Sequence, residues 1–351
     1  MNIYQRVIPP RTDTIETKII QAQIQTTIMS VSNPGRTILA STISKTYDYH
    51  IVEKINELKE NGVRPNGPLL VGFLANDDSA AEMYAKWTQR TSEALGVRYE
   101  LRRIADKDFL EEAIIQANRD ENVDGIMIYF PVFGNAQDQY LQQVVAKEKD
   151  VEGLNHVYYQ NLYHNVRFLD EAQTLKSILP CTPLAIVKIL EYLKIYNEFL
   201  PEGNRLYGKT CVVVNRSEIV GRPLAALMAN DGATVYSVDI NNIQKFTRGE
   251  SLKFAKHHVE DLGPFSDELL RQVSKDADII ITGVPSKSYK FPTEYIKDGA
   301  TCINFSSFKN FDDDHVKQKA SLYVPMTGKV TIAMLLRNML RLIENREHMK
   351  N

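Results

Sequence analysis

The run Cys211-Val212-Val213-Val214-Asn215-Arg216-Ser217-Glu218-Ile219-Val220-Gly221-Arg222-Pro223 joins an apolar, β-branched strand to a polar turn and a glycine. A helical segment, Leu224 to Asn230, follows. In that order a helix N-terminus faces the end of a strand, where backbone N–H groups can hold a pyrophosphate. Asp239 closes the next strand, Thr234 to Val238. It lies about twenty residues past the turn, where an acidic side chain binds the ribose 2′-hydroxyl of NAD. A carboxylate there repels a 2′-phosphate, so the pattern favours NAD over NADP. The chemistry would be hydride transfer, with the cofactor held by Asn215, Arg216, Ser217, Val220, Gly221 and Asp239. Asn215 stands where a glycine is usual, so by pattern alone a plain βα unit without nucleotide stays open.

These residues need strands and helices to hold them. Apolar residues recur at helical spacing from Ile51 to Leu58. Pro68 to Leu74 reads as a buried strand, Ala80 to Leu95 as a helix stopped by Gly96, and Tyr99 to Ile104 as a second strand. A helix over Phe109 to Asn118 and a strand over Gly125 to Phe130 follow. Strands alternating with helices imply a parallel sheet covered on both faces. Pro183 marks the start of a helix running to Tyr196, which leads into a second α/β set. That set includes strands over Ala277 to Gly283 and Thr301 to Phe305. Asn241 to Lys275 reads as a loop-rich surface insertion, and its His257-His258 pair has no partner spacing for a metal. An amphipathic helix from Thr331 to about Glu347 ends the chain.

The 351 residues leave room for two domains, and 43% hydrophobic with 25% charged residues is ordinary for a soluble globular protein. A net charge of −2 gives no bulk electrostatic case for nucleic acid or an anionic membrane. Cys181, Cys211 and Cys302 are few and far apart, which argues for a reducing compartment and against a metal cluster. No apolar run is long enough to span a bilayer. Residues 1–29 are only weakly basic and contain Asp13 and Glu16. They read as a disordered extension, a targeting segment or an over-long start ahead of Met29.

Five strings occur in a fixed order: Lys149-Asp150-Val151-Glu152-Gly153-Leu154, Pro180-Cys181-Thr182-Pro183, Arg216-Ser217-x-Ile219-Val220-Gly221-x-Pro223, Thr282-Gly283-Val284-Pro285 and Thr331-Ile332-Ala333-Met334-Leu335. Over residues 35 to 345 the chain resembles the methylenetetrahydrofolate dehydrogenase/methenyltetrahydrofolate cyclohydrolase family, and most nearly its fungal monofunctional NAD-dependent branch. The resemblance implies two α/β domains around a cleft. Residues 30–182 would bind folate, and 183–326 would form a Rossmann-like NAD domain. The helix over 327–351 would pack back on the first domain. It also implies a cytosolic homodimer serving one-carbon metabolism and purine biosynthesis, with tetrahydrofolate as substrate and no metal.

By the same resemblance Glu152 and Tyr84 are the catalytic candidates, and Tyr84, Thr88, Tyr129, Glu152, Pro180 and Cys181 border the folate. Glu152 would hold the pterin edge and stabilise a developing cation; Tyr129 either lines that pocket or only packs. Arg216 and Ser217 would meet the pyrophosphate, unless Arg216 pairs with Asp239. Gly283, Pro285 and Thr331 would complete the cofactor site. In bifunctional relatives a lysine essential to the cyclohydrolase lies four residues after the tyrosine; here that position is Thr88. A glutamine ahead of the proline is replaced by Tyr129, and the motif's aspartate is lengthened to Glu152. The three departures imply a dehydrogenase without cyclohydrolase activity. A bifunctional enzyme with another base, or a catalytically silent NAD-binding protein, are the rival readings.

Overall fold

The computed structural model describes residues 34–248 and 257–350. The extension at 1–29 therefore lies outside the described residues, as does part of the segment at 241–275. The chain starts with strand β1 (Arg36–Thr37) and helix α1 (Ala40–Glu60). Strand β2 (Leu69–Leu74), helix α2 (Ser79–Ala94), strand β3 (Arg98–Arg103), helix α3 (Leu110–Arg119) and strand β4 (Gly125–Ile128) follow. Helices α4 (Ala136–Val144), α5 (His156–Tyr163) and α6 (Cys181–Tyr192) come next. The second set is β5 (Thr210–Val214), α7 (Gly221–Asn230), β6 (Thr234–Val238), β7 (Asn242–Arg248), β8 (His257–Pro264) and α8 (Asp267–Ser274). It continues with β9 (Ile279–Thr282), β10 (Thr301–Asn304), α9 (Val316–Lys319), β11 (Leu322–Val324) and α10 (Gly328–Lys350).

Two sheets result. The smaller is parallel, in the order β3-β2-β4; the larger has eight strands, β1-β11-β10-β9-β5-β6-β7-β8. The strands of the larger sheet's centre are near-continuous apolar runs because both faces are covered. Cys211 and Val213 face one core, with α6, α7 and α10. Val212 and Val214 face another, with Leu270 and Val273 of α8. The first of these cores also takes Leu70, Leu74 and Met127 from the smaller sheet, so one apolar body runs through both halves.

Two features differ from the sequence reading. Residues 242–248 and 257–264 are not loop-rich: they form an antiparallel hairpin that widens the larger sheet beyond β6. A register irregularity between Asn242 and Gln244 puts the buried Ile243 and Phe246 three residues apart, which conceals the two-residue period of a strand. In addition, β1 precedes the first α/β set but pairs with β11 at the far edge of the larger sheet.

Candidate active site

The folate-side strings are brought together by the backbone. Asp150 is buried and accepts N–H bonds from Gly153 (2.9 Å) and Asn155 (2.7 Å), which folds the loop between α4 and α5. Lys149 donates to the carbonyls of Ala117 (3.0 Å) and Asp120 (2.6 Å). Gly153 has φ +72°, and a Cβ there would lie 2.8 Å from the Leu179 carbonyl carbon. Only glycine lets the two segments touch. The Cys181 N–H then donates to the Glu152 carbonyl at 3.0 Å, binding the loop to the first residue of α6. Lys149 and Asp150 thus build the loop, Pro180 and Cys181 wall it, and Glu152 is the carboxylate it presents.

Glu152 is half-buried, and its Oε2 accepts the Ile128 N–H at 3.0 Å. Burial pushes its pKa up to about 8, only partly opposed by that bond, and nearby Asp150 adds to the rise. Burial also holds Asp150 up at about 6. The Cys181 thiol is raised by burial and by Glu152, so it stays protonated and is no nucleophile.

Tyr84 projects from α2, its ring meeting Tyr129 edge to face at 6.1 Å between centroids. Burial raises its phenol well above the ordinary value, with Cys181, Tyr129 and Glu152 each contributing. Thr88, one turn on, is 0% exposed and donates to the Tyr84 carbonyl at 3.0 Å. Tyr129 follows β4, with its hydroxyl 2.7 Å from that of Tyr99. Burial pushes the Tyr129 phenol up to about 12. All three departures from the bifunctional pattern therefore share one pocket.

Tyr99 was not singled out from the sequence. A Cβ on Gly72 would meet the Tyr99 hydroxyl at 2.4 Å and Tyr129 Cε2 at 3.1 Å. A lone glycine inside the apolar run of β2 is the signal that marked this close approach.

The cofactor-side residues meet at the carboxyl ends of β5, β6 and β9, where open α/β sheets bind ligands. Asn215 has φ +89°, the left-handed conformation that asparagine tolerates better than other side chains. Its Nδ2 donates to the Gly283 carbonyl at 2.6 Å, and its N–H to Val238 at 3.0 Å. It thus replaces the usual glycine and ties three strand ends. A Cβ on Gly221 would sit 1.8 Å from the Asn215 carbonyl oxygen, so α7 starts hard against the turn. Ser217 Oγ accepts the N–H groups of Val220 (3.3 Å) and Gly221 (3.4 Å) at that helix start. Asp239 is half-buried beside the turn.

Arg216 makes its hydrogen bonds to the β6–β7 connection, with the Asp239 charge nearby. It is 7% exposed, and donates to Ser237 Oγ (3.2 Å), Asn242 Oδ1 (2.8 Å) and the carbonyls of Ser237 (3.1 Å) and Asn242 (2.7 Å). Burial lowers its pKa while Asp239 acts the other way. It fastens the turn to the β6–β7 connection. Thr331 is likewise turned inward: it is buried, and its hydroxyl donates to the Thr327 carbonyl at 3.4 Å.

Gly283 belongs to a stitched edge, where a Cβ would run into the Phe305 ring at 1.8 Å. Pro285, two residues on, is exposed. Asn304 donates to the carbonyls of Ser306 (3.2 Å), Phe308 (2.9 Å) and Pro325 (3.0 Å), and Asn310 and Ser306 both donate to Val284. These loop-building residues, Asn304, Ser306 and Asn310, carry no motif of their own. Among the described residues no cluster could hold a metal ion.

A tight turn with a left-handed first residue, a helix start pressed onto it and a carboxylate at the next strand end together fit a dinucleotide. The comparisons agree. Residues 38–152 match the tetrahydrofolate dehydrogenase/cyclohydrolase catalytic domain, and residues 180–252 match the family's NAD(P)-binding domain. Methylenetetrahydrofolate dehydrogenase [NAD(+)] of Saccharomyces cerevisiae is 75% identical over 90% of this chain and 98% of its own length. The protein of the same name from Schizosaccharomyces pombe is 57% identical over 88% of this chain and 92% of its own. The solved structure of the NAD-dependent 5,10-methylenetetrahydrofolate dehydrogenase from S. cerevisiae superposes with a TM-score of 0.88, covering 91% of this chain and 100% of that one. With both halves matched in order, the chain belongs to the tetrahydrofolate dehydrogenase/cyclohydrolase family.

Proposed function

We propose that this protein oxidises 5,10-methylenetetrahydrofolate to the 5,10-methenyl form with NAD, and that it lacks cyclohydrolase activity. The dehydrogenase reading rests on the extent of identity to the NAD-dependent relatives, together with Asp239 at the end of β6. NAD, when bound, supplies the hydride acceptor. The chain's part is to place the folate and to stabilise charge. Losing a hydride leaves the folate a delocalised cation, and no proton has to move. Tyr84 and Tyr129 offer ring surface to the pterin. A carboxylate at Glu152 can accept from the pterin's N–H edge and offset the forming positive charge in a poorly hydrated cleft.

Opening the methenyl cation with water needs a positioned proton acceptor. One observation argues against such a group here. At the lysine position of bifunctional relatives, Thr88 is fully buried and its hydroxyl is engaged by the Tyr84 carbonyl. The neighbouring Tyr129 hydroxyl is engaged by Tyr99 and, with its pKa pushed up to about 12, stays protonated near neutrality and so does not supply the acceptor. Hydride transfer assayed with NAD and with NADP, then methenyl hydrolysis by the same preparation, tests the reading. NAD reduction without hydrolysis above buffer is expected. Hydrolysis at a comparable rate would establish a bifunctional enzyme, and NADP turnover equal to NAD would refute the role of Asp239.

We further propose a cytosolic homodimer. Strand β8 supports it as an outer edge of the larger sheet, with exposed positions such as Val259. No helix among the described residues is long and apolar enough to cross a membrane. Light scattering tests the assembly, since a monomer at assay concentration would refute it.

A further inference from the structure

Behind the wall formed by Leu179 and α6 lies a cavity of about 470 Å³, lined from α6, α7, α10, the 165–179 hairpin and the loop near Arg205. Its volume falls in the range of small-molecule sites, roughly 300–1,000 Å³. It is separate from the catalytic cleft: none of Tyr84, Tyr129, Glu152, Asn215 or Asp239 lines it.

Its charge is one-sided. Six basic side chains line it against three acidic ones. The acids are already engaged: Glu191 with Lys188 (2.6 Å), Asp231 with Arg167 (3.6 Å) and the Tyr196 hydroxyl (3.0 Å), and Glu202 with Arg205 (3.9 Å). Arg341 pairs with Glu344 at 2.8 Å, outside the lining. Arg337 and Lys176 remain, with no side-chain hydrogen bond or ion pair to any described residue. Arg337 is half-buried, its charge faced by Glu191 and Glu344 and crowded by Arg341, and none of these carboxylates is within ion-pair distance of its five-donor guanidinium. Arg205 adds a buried Nε–H that also lacks a partner. Buried donors are normally satisfied, and leaving them unmet is costly. Guanidinium groups with free forks match oxyanions, which take two parallel N–H bonds.

We propose that this cavity is a second binding site, for a small organic anion carrying at least two phosphate or carboxylate charges. Arg337 grips one oxyanion, Arg205 contributes its free donor, and Lys176 supplies charge at the mouth. The site adjoins the catalytic loop. Asn338, next in sequence to Arg337, donates to the carbonyls of Val151 (3.0 Å) and Leu179 (2.9 Å), which flank Glu152 and Pro180.

Isothermal titration of the full-length protein tests this, with NAD saturating so that the cofactor's pyrophosphate site is filled. The probes are inorganic pyrophosphate and citrate at low ionic strength. One-to-one binding is expected, weakening as salt is raised. Binding of pyrophosphate alone assigns a phosphate ligand, and binding of citrate alone a polycarboxylate. Arg337→Gln is expected to weaken binding about tenfold or more, the loss of one charge-assisted fork, with the KM for NAD unchanged. Lys176→Gln, at an exposed position that folding does not need, should weaken it several-fold. If neither probe binds at millimolar concentration, or if Lys176→Gln and Arg337→Gln both bind as the wild type does, the proposal is overturned.

Discussion

Glu152 concentrates the chemistry at the scale of one residue. Its pKa of about 8 means that much of the free protein carries it protonated near neutrality. If the carboxylate is the form that receives the pterin and the forming cation, kcat/KM for the folate rises with pH and levels off above about 8. A pH–rate profile checks this, and Glu152→Gln is expected to flatten it. The same substitution should cut hydride transfer on the order of a hundredfold, with NAD affinity nearly unchanged. Stability moves the other way. A folded pKa above the unfolded value means the fold favours the neutral acid. That contribution is present below the unfolded pKa and is lost as pH rises through about 8. Glu152→Gln, which cannot ionise, should therefore melt higher than wild type, by a margin that grows with pH up to 9. At the other end of the cleft, Asp239→Ser is expected to weaken NAD and improve NADP, read as the ratio of the two kcat/KM values. An unchanged ratio would remove Asp239 from the ribose site.

Elements explain what could be read in advance and what could not. Strands β2, β5 and β9 are legible because both faces are buried, so their sequences are unbroken apolar runs. The β7–β8 hairpin was illegible because its register irregularity breaks the alternation and its outer strand faces solvent. The site divided in the same way. Glu152, Tyr84 and Thr88 fall together because a motif and a helical turn place them. Tyr99 joins them from β3, reaching over Gly72 of the intervening β2 to Tyr129 beyond β4, a contact that only sheet register creates. Arg216 shows what the pattern leaves out: its position beside the turn suggests a ligand contact, and its hydrogen bonds to Ser237 and Asn242 are not signalled by the motif. The turn itself is an element-scale device, since the α7 backbone starts against the Asn215 carbonyl. Gly221→Ala must push the two apart. The expected result is a loss of about 1–3 kcal/mol in denaturant unfolding, as for overpacked interiors, together with weaker NAD binding. A variant of wild-type stability and NAD affinity would show that the turn tolerates the shift.

For the whole molecule, the halves are interlocked by the path of the chain. Strand β1 comes before the small sheet yet pairs at the edge of the large one, and α10 comes after the large sheet yet packs on α1 and α6. The loop between α6 and β5 carries Phe199, 99% exposed. Limited chymotrypsin cleavage there is expected to give two fragments that still elute together under native conditions. One fragment holds β1 in the other's sheet, while the other holds α10 in the shared core. Fragments that separate without denaturant would refute the interlock. The position of β1 also has a genetic meaning. The chain passes between the two sheets near residues 38, 193 and 326, so no single crossover exchanges one half for another. A recombination event that imported a foreign nucleotide half would have to join at three places and match an edge strand as well. Descent within this architecture is thereby steered toward single-codon changes at positions such as 88, 129 and 239 rather than toward shuffling of whole modules.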